Sequence, residues 1–357
     1  MARTHTTLPA DDGFRMPAEW EPHAGCWMGW PERTDTWRDG AKPAQRAFAE
    51  VAAAISAAEP VTVAASARQW ANARATLAPE VRVVELGTDD AWFRDVGPTW
   101  LVGPDGERRG VDWRFNAYGG PDHGLYFPYD RDAAAAAKVL EVEGHDRYAC
   151  ALVAEGGAVH VDGAGTVLTT EQCLLDPHRN PDRSKADVER VLVEYLGAER
   201  VVWLGQGVVD DETGGHVDNL ACFVRPGVVL LTWTDDPSDP QHSVSVDARR
   251  RLEEAGLEVL VVEQPGPLYL HAHEAAGLDQ GGWAKPRLAG DRLAGSYVNA
   301  YVATTRLVVP LLDPRTDEAA LAVYAEAFPD RQVVGVASRE VLLGGGNIHC
   351  ITQQIPA

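Results

Sequence analysis

Residues 187–219, DVERVLVEYLGAERVVWLGQGVVDDETGGHVDN, show the local pattern on which the fold prediction depends. Residues 187–196 place apolar side chains at helical spacing, and residues 201–204 form a short apolar run typical of a buried strand. An acidic, glycine-containing loop follows over residues 210–219. The stretch therefore predicts one unit made of a helix, a strand and a loop that carries polar side chains.

The same order of helix, strand and loop recurs along the chain from residue 67 onward. The predicted helices cover residues 67–77, 133–141, 187–196, 246–255 and 317–328, and the strands that follow them cover residues 81–85, 148–153, 201–204, 258–262 and 332–336. A predicted hairpin over residues 159–168 makes the unit ββαβ-like. Similar units in series favour a closed α/β array over two unrelated domains. We expect a single catalytic domain over residues 1–357, with residues 1–15 as a flexible tail.

The composition and charge of the chain limit the classes of molecule that it can be expected to bind. The chain has 357 residues, 45% of them apolar and 24% charged, as in an ordinary globular protein. Its formal net charge of -21 repels nucleic acid and anionic membranes and favours a cationic substrate. Without an apolar run of membrane-spanning length or a signal peptide, we expect a cytoplasmic protein. Five cysteines without a CxxC pair argue against a disulfide framework or structural zinc.

A candidate nucleophile lies in the stretch GGGNIHCIT, residues 344–352. Three consecutive glycines suit a place where the backbone passes close to a ligand or takes a positive φ. Cys350 follows this turn and is predicted to lie at the mouth of a pocket. The alternative is that Cys350 is an ordinary buried apolar side chain.

Four other polar residues fall in loops of the repeated units. His216 and Asp218 alternate along what we expect to be an extended segment, so both side chains can face one cavity. Asp95 lies between aromatic residues and a Gly-Pro pair, and Glu155 precedes two glycines. Each has an ordinary alternative as a solvated loop residue, a helix cap or a turn acid. A ring of units would bring all four close to Cys350.

A thiol, an imidazole and several carboxylates in one pocket suit a guanidinium substrate. This group is planar and permanently charged, and its N–H groups bind carboxylates in pairs. Hydrolysis at its central carbon needs a nucleophile and a group that donates and then accepts a proton, roles that Cys350 and His216 can fill. Nearby carboxylates disfavour the thiolate, so we expect the bound cation to promote its ionisation.

Collinear motifs over nearly the whole chain give it a family resemblance. They are MPAEWEPH (16–23), GCWMGWP (25–31), RDVGP (94–98), FNAYGG (115–120), EGG (155–157), GHVDN (215–219), SYVN (296–299) and GGGNIHCITQ (344–353). In these motifs the chain resembles the agmatine deiminase family of the guanidino-modifying, or pentein, superfamily.

The resemblance implies a fivefold α/β propeller of ββαβ repeats that hydrolyses agmatine to N-carbamoylputrescine and ammonia without a metal or cofactor. It implies that Cys350 forms a covalent intermediate and that His216 is the general acid and base. Its further implied roles are guanidinium binding by Asp95 and Asp218, orientation of the histidine by Glu155, a pocket wall at Trp92, and a contact of Glu212 with the distal amine. A homo-oligomer is a further expectation.

The chain departs from the family pattern at Tyr118, Gly214, Ala300 and Thr304-Thr305. These positions concern the width of the pocket and the far end of the substrate, so arginine or peptidyl-arginine remains an alternative. Free arginine has an α-carboxylate, and an enzyme that acts on it would need an arginine side chain to bind this group. Arg38 and Arg94 are the candidates. A polyamine-binding scaffold without activity is a non-catalytic alternative.

A metal enzyme is the last alternative. His216 and Asp218 with a later histidine, namely His271, His273 or His349, have the ligand types of a non-haem iron oxygenase. Such oxygenases are built on all-β double sheets, whereas this chain alternates helix and strand.

Overall fold

The computed structural model describes residues 2–357. Its strands are β1 (Thr4–His5), β2 (His23–Gly29), β3 (Val61–Ala65), β4 (Arg82–Glu85), β5 (Thr99–Val102), β6 (Arg108–Arg114), β7 (Asp146–Val153), β8 (His160–Val161), β9 (Thr166–Thr170), β10 (Arg200–Leu204), β11 (Ala221–Arg225), β12 (Val228–Trp233), β13 (Glu258–Glu263), β14 (Leu268–Tyr269), β15 (Arg292–Leu293), β16 (Tyr301–Val302), β17 (Arg306–Leu311), β18 (Gln332–Ala337) and β19 (Thr352–Pro356).

The α-helices alternate with these strands, which confirms the predicted α/β class. They are α1 (Lys42–Ser56), α2 (Trp70–Thr76), α3 (Phe93–Val96), α4 (Gly120–His123), α5 (Ala135–Glu143), α6 (Glu171–Leu174), α7 (Lys185–Leu196), α8 (Val217–Leu220), α9 (Pro240–Glu254), α10 (Ala272–Ala275), α11 (Asp317–Ala327) and α12 (Arg339–Leu342). Short 3₁₀ turns cover Asp39–Ala41, Asp132–Ala134 and Gly156–Ala158.

Local sequence explains why the helices begin and end where they do. In α7, the Ser184 side chain accepts a hydrogen bond from the Asp187 backbone, and the Asp187 side chain accepts one from the Ser184 backbone. This capping box satisfies N–H groups that have no partner inside the helix. Gly197 ends the helix in the left-handed conformation, at φ 61°. The buried face of α7 consists of Val188, Val191, Leu192 and Leu196.

Five sheets share one arrangement, in which an antiparallel pair is followed by a parallel neighbour. Their strand orders include β5-β6-β7, β8-β9-β10, β11-β12-β13, β16-β17-β18 and β19-β2-β3. A helix, respectively α5, α7, α9, α11 or α1, connects the two parallel strands of each sheet. In the last sheet the antiparallel partner of β2 is β19, so two segments far apart in sequence complete one unit.

Consecutive units pack on one another in a repeating manner. In four of the five units the helix lies against the outer strand of the unit before it: α7 against β7, α9 against β10, α11 against β13 and α1 against β18. Strand β19 also contacts β5. The series of contacts therefore returns from the last unit to the first.

Residues 2–15 are packed onto this body. Thr4 and His5 pair in parallel with Arg147 and Tyr148 on the outer edge of β7, which offers unpaired backbone groups. Phe14 is only 3% exposed. The expectation of a flexible tail over residues 1–15 missed this pairing, and Met1 lies outside the described residues.

The described chain contains no helix that combines the length and apolar character needed to cross a bilayer. All five cysteines are free thiols.

Candidate functional site

The turn before Cys350 has space only for glycine. A Cβ on Gly346 would lie 2.7 Å from the Trp92 ring and 3.1 Å from the Cys350 Sγ. Gly345 has a φ of +106°, which a residue with a side chain rarely adopts. The glycines thus place the backbone between the thiol and an aromatic wall, and they hold the Cys350 side chain at 2% exposure.

Asn299 holds the Cys350 thiol directly. Its Nδ2 donates to the Cys350 Sγ at 3.1 Å, and its Oδ1 accepts from the backbone N–H groups of His349 at 2.9 Å and Cys350 at 3.3 Å. The sequence interpretation quoted Asn299 in a motif but gave it no role, because an amide neither titrates nor attacks. One amide side chain therefore fixes both the position of the thiol and the turn that carries it.

His216 is fully buried, and its surroundings correct one expectation. The segment is not extended: His216 is the N-cap residue of α8, and Asp218 lies in the first turn of that helix. The imidazole Nε2 lies 3.4 Å from Glu155 Oε2, and Nδ1 lies 3.8 Å from Asp95 Oδ1. The two side chains share a cluster because the short helix begins between them.

Glu155 links His216 to a buried arginine. Arg179 Nε donates to both Glu155 oxygens, at 3.0 and 3.2 Å, and Arg179 Nη2 donates to the Thr213 carbonyl. Burial opposes ionisation of Glu155, but the charges of Arg179 and His216 outweigh it and lower its pKa to about 2. Sequence reasoning missed Arg179, since nothing in its local sequence separates it from a surface arginine.

Asp95 is held from two sides. Its Oδ1 accepts from the Gly157 N–H at 2.9 Å and its Oδ2 from the Tyr118 hydroxyl at 2.8 Å. Burial raises its pKa to about 6, His216 opposes that rise, and the charge of Asp218 reinforces it. Asp95 is therefore the carboxylate of the cluster that can change its charge near neutral pH.

Asp218 lies next to the thiol. Its Oδ2 is 3.5 Å from the Cys350 Sγ and accepts from His349 Nδ1 at 2.8 Å. Its Oδ1 is buried and has no hydrogen-bond partner among the described residues. Burial opposes ionisation, yet the hydrogen bond from His349 lowers the pKa of Asp218 overall.

Three of these groups converge beside Gly157. A Cβ there would lie 2.6 Å from His216 Nδ1 and 2.9 Å from the nearest oxygens of Asp95 and Asp218. The structure thus brings together all five residues predicted to be catalytic: Asp95, Glu155, His216, Asp218 and Cys350.

The electrostatics of the cluster shift the pKa values of Cys350 and His216. Burial, followed by the charges of Asp218 and Asp95, raises the pKa of the Cys350 thiol well above its usual value. Burial opposes protonation of His216, but Asp95 and other neighbours raise its pKa well above the usual value. Both shifts favour the protonated forms, a thiol at Cys350 and an imidazolium at His216.

Trp92 and Glu212 both lie against the glycine turn, Trp92 beside Gly346 and Glu212 beside Gly345. Asp90 accepts from the Trp92 indole N–H at 3.2 Å and fixes the ring beside Gly346. Glu212 forms an ion pair with Arg287, whose Nε lies 3.0 and 3.1 Å from its two oxygens. Beside Glu212 is an open cavity of about 870 Å³. Arg287, which sequence reasoning missed, also donates to the Gly344 carbonyl at 2.7 Å.

Arg38 and Arg94, the two candidates for binding the α-carboxylate of an arginine substrate, both form ion pairs with carboxylates of the protein. Arg38 binds Glu340 and Asp39, and the buried Arg94 binds Glu19 at 3.1 Å. Among the departures from the family pattern, Tyr118 lies in the site, where its hydroxyl donates a hydrogen bond to Asp95.

Two groups of metal-ligand types occur in residues 2–357: Glu19, His160 and His349, and Glu155, Cys173 and His216. The triad of the iron-oxygenase alternative, His216 and Asp218 with a later histidine, is not one of them in this range. In each group an arginine lies at hydrogen-bond distance from the glutamate, Arg94 at 3.1 Å and Arg179 at 3.0 Å. These guanidinium groups supply the positive charge that a metal ion would otherwise provide.

Comparison with known proteins gives a consistent assignment. The model of the Porphyromonas-type peptidyl-arginine deiminase family matches residues 15–356. Agmatine deiminases of Pseudomonas aeruginosa and Ectopseudomonas mendocina are 53% and 52% identical over 360 and 362 residues, and in both cases the alignment covers 99% of this chain and 98% of the relative. The solved agmatine deiminase of Enterococcus faecalis is 45% identical and superposes with a TM-score of 0.96 over 100% of this chain and 99% of its own. The chain belongs to the Porphyromonas-type peptidyl-arginine deiminase family.

Proposed function

We propose that this chain hydrolyses agmatine to N-carbamoylputrescine and ammonia through a covalent amidino-cysteine intermediate. The observation that carries the proposal is the convergence of Asp95, Asp218 and His216 beside Gly157, with the Cys350 thiol 3.5 Å from Asp218. Two carboxylates that face a thiol suit a planar cation whose central carbon is to be attacked. The relatives named agmatine deiminase, at half or more identical residues, support agmatine as the substrate.

Binding of the substrate is the step that activates the nucleophile. In the free protein the thiol is protonated because burial, followed by the charges of Asp218 and Asp95, raises its pKa. A guanidinium between these carboxylates cancels their field, so the thiol loses its proton to solvent when the cation arrives. The imidazolium of His216 and the Asn299 amide, 3.1 Å from Sγ, stabilise the thiolate.

The chemistry then follows in two halves. The thiolate adds to the guanidinium carbon, and His216 donates its proton to the departing nitrogen, which leaves as ammonia. The neutral His216 next takes a proton from a water molecule that attacks the amidino-thioether. Collapse of this second adduct breaks the C–S bond, the hydroxyl proton passes to the departing Cys350 sulfur, and the ureido product leaves with Cys350 again in its thiol form. Glu155 keeps the imidazole oriented through its contact with Nε2.

Glu212 is the proposed partner of the distal ammonium. In the structure its charge is balanced by Arg287. The substrate amine therefore joins an existing ion pair at the rim and does not enter an unopposed negative site. Trp92 supplies the apolar wall along the methylene chain between the two charged ends of the substrate.

We further propose that the five ββαβ units form a fivefold propeller around this site. The helix-on-strand contacts repeat from unit to unit, and the contact of β19 with β5 returns the series to its start. This arrangement accounts for catalytic residues that come from several different units.

An ammonia-release assay with agmatine, arginine and a blocked peptidyl-arginine tests the proposal. Agmatine is expected to be turned over in preference to the other two, and Cys350→Ala is expected to release no ammonia. Preference for arginine would replace the substrate assignment. Absence of turnover with every guanidine would refute the proposed function.

A further inference from the structure

We propose that His349 is a positioning residue that stays permanently protonated and ties Asp218 to the buried Glu19–Arg94 ion pair, which keeps Asp218 ionised and leaves its Oδ1 without a protein partner. His349 precedes the nucleophile in the sequence, and none of the catalytic steps above uses it. The inference rests on the proposed function in one respect, since it takes Asp218 to be a guanidinium ligand.

The two ring nitrogens give the protonation state. Nδ1 lies 2.8 Å from Asp218 Oδ2, and Nε2 lies 2.8 Å from Glu19 Oε1. A neutral imidazole carries one N–H, so one of these contacts would set a lone pair against a carboxylate. Both contacts are favourable only when both nitrogens carry a proton. Burial opposes that charge, but Glu19 and Asp218 outweigh it and raise the pKa of His349.

Charges around the ring balance in the protonated state. The charged groups that face it are Asp218, Glu19 and Arg94, whose Nη1 lies 3.1 Å from Glu19 Oε1. His160 faces Glu19 from the other side, with its Nε2 3.6 Å from Oε2. Because the Phe223 N–H points to His160 Nδ1 at 3.3 Å, the His160 proton is on Nε2 and that ring is neutral. Two carboxylates therefore meet two cations.

This arrangement explains how Asp218 can be buried and charged and still have one oxygen free to accept a hydrogen bond. Its Oδ2 is occupied by His349, which leaves the buried Oδ1 as the acceptor without a partner. With a neutral side chain at position 349, Asp218 and Glu19 would share the single charge of Arg94. The carboxylate beside the thiol would then take up a proton more readily, because an opposite charge within about 4–6 Å lowers a carboxyl pKa by about 1–3 units.

Imidazole nitrogen NMR on the full protein tests the protonation state without using activity. We expect the His349 ring to show two protonated nitrogens throughout the range from pH 6 to pH 9. The signal is assigned by its absence in His349→Gln, or in His349→Asn if the first variant folds poorly. A ring with one unprotonated nitrogen at neutral pH would overturn the proposal, whether or not the protein turns over agmatine.

Kinetics test the consequence for Asp218. We compare kcat/KM for agmatine in His349→Gln with the wild-type value at each pH. Below the raised Asp218 pKa of the variant, the ratio of variant to wild type is expected to fall by up to about tenfold per pH unit, and at higher pH it should recover. The loss is expected mainly in KM. His160→Gln is the matched control, since that imidazole contacts Glu19 but not Asp218, and its ratio should not vary with pH. A His349→Gln ratio that is equally independent of pH would show a merely structural role and refute the inference. Wild-type protein that is inactive on agmatine would refute the proposed function and leave the NMR test to decide on His349.

Discussion

Replacement of Glu155 by Gln is expected to cost about 3 kcal/mol of folding free energy at neutral pH. Glu155 is fully buried, and its pKa falls from 4.5 to about 2 in the folded protein. At about 1.4 kcal/mol per pKa unit this difference corresponds to about 3 kcal/mol. The substitution also leaves Arg179 buried without its partner, a change that typically costs about 3–5 kcal/mol. The two estimates describe the same interaction and are not additive.

The pH dependence of this loss has a definite sign. Because the folded-state pKa of Glu155 lies below the unfolded one, its contribution is complete above about pH 5.5 and is lost as the pH falls through 4.5 towards 2. At pH 4 about 1 kcal/mol of the contribution should already be gone. The stability difference between wild type and Glu155→Gln should therefore shrink on acidification.

Urea denaturation at pH 7, 5.5 and 4 measures that difference. Glu253→Gln is the matched control, because Glu253 pairs with Arg249 on the surface with about half of each side chain exposed, and the expected loss is below about 1 kcal/mol. The double variant Glu155→Gln/Arg179→Gln should recover part of the loss, since no unpaired charge remains. A difference that does not change between pH 7 and pH 4, or that is absent at pH 7, would refute the electrostatic reasoning.

Three further substitutions probe the site. Gly157→Ala should lower kcat by about 100-fold, because its Cβ would lie 2.6 Å from the His216 imidazole. Gly87→Ala, where the nearest atom to the added Cβ is 3.8 Å away, is the control, and equal kcat values for the two variants would contradict this prediction. Glu212→Gln should raise KM for agmatine but not for butylguanidine, which has no distal ammonium, and equal effects on both substrates would exclude a contact with the amine. Tyr118→Phe removes a hydrogen bond to ionised Asp95, so the acidic limb of the kcat/KM profile should move upward from about pH 6, and a profile that does not move would show that this bond has no role.

Much of the fold could be predicted because apolar periodicity marks the helices and strands directly. The predicted helix over residues 317–328 corresponds to α11 at Asp317–Ala327. The helix predicted over residues 246–255 instead begins at Pro240, because the Asp239 side chain caps the Gln241 N–H and Pro240 occupies the first turn. That cap lies in a polar segment where hydrophobic spacing gives no signal.

The site was only partly accessible from the sequence, for a related reason. Asp95, Glu155 and His216 stand out as polar residues in loops that follow strands. Arg179 and Asn299 do not, because their roles come from contacts made across the fold, 24 residues from Glu155 and 51 residues from Cys350. Partners that meet only in three dimensions leave no local pattern to detect.

The pairing of β19 with β2 has a consequence for biosynthesis. Strand β2 is made early, and five of its seven residues are buried in the folded protein, whereas its antiparallel partner is translated more than 300 residues later. Until β19 emerges from the ribosome, β2 presents an apolar strand edge that favours aggregation. Cys350 precedes β19 by two residues, so its thiol enters the protein only as that exposed edge is about to be covered.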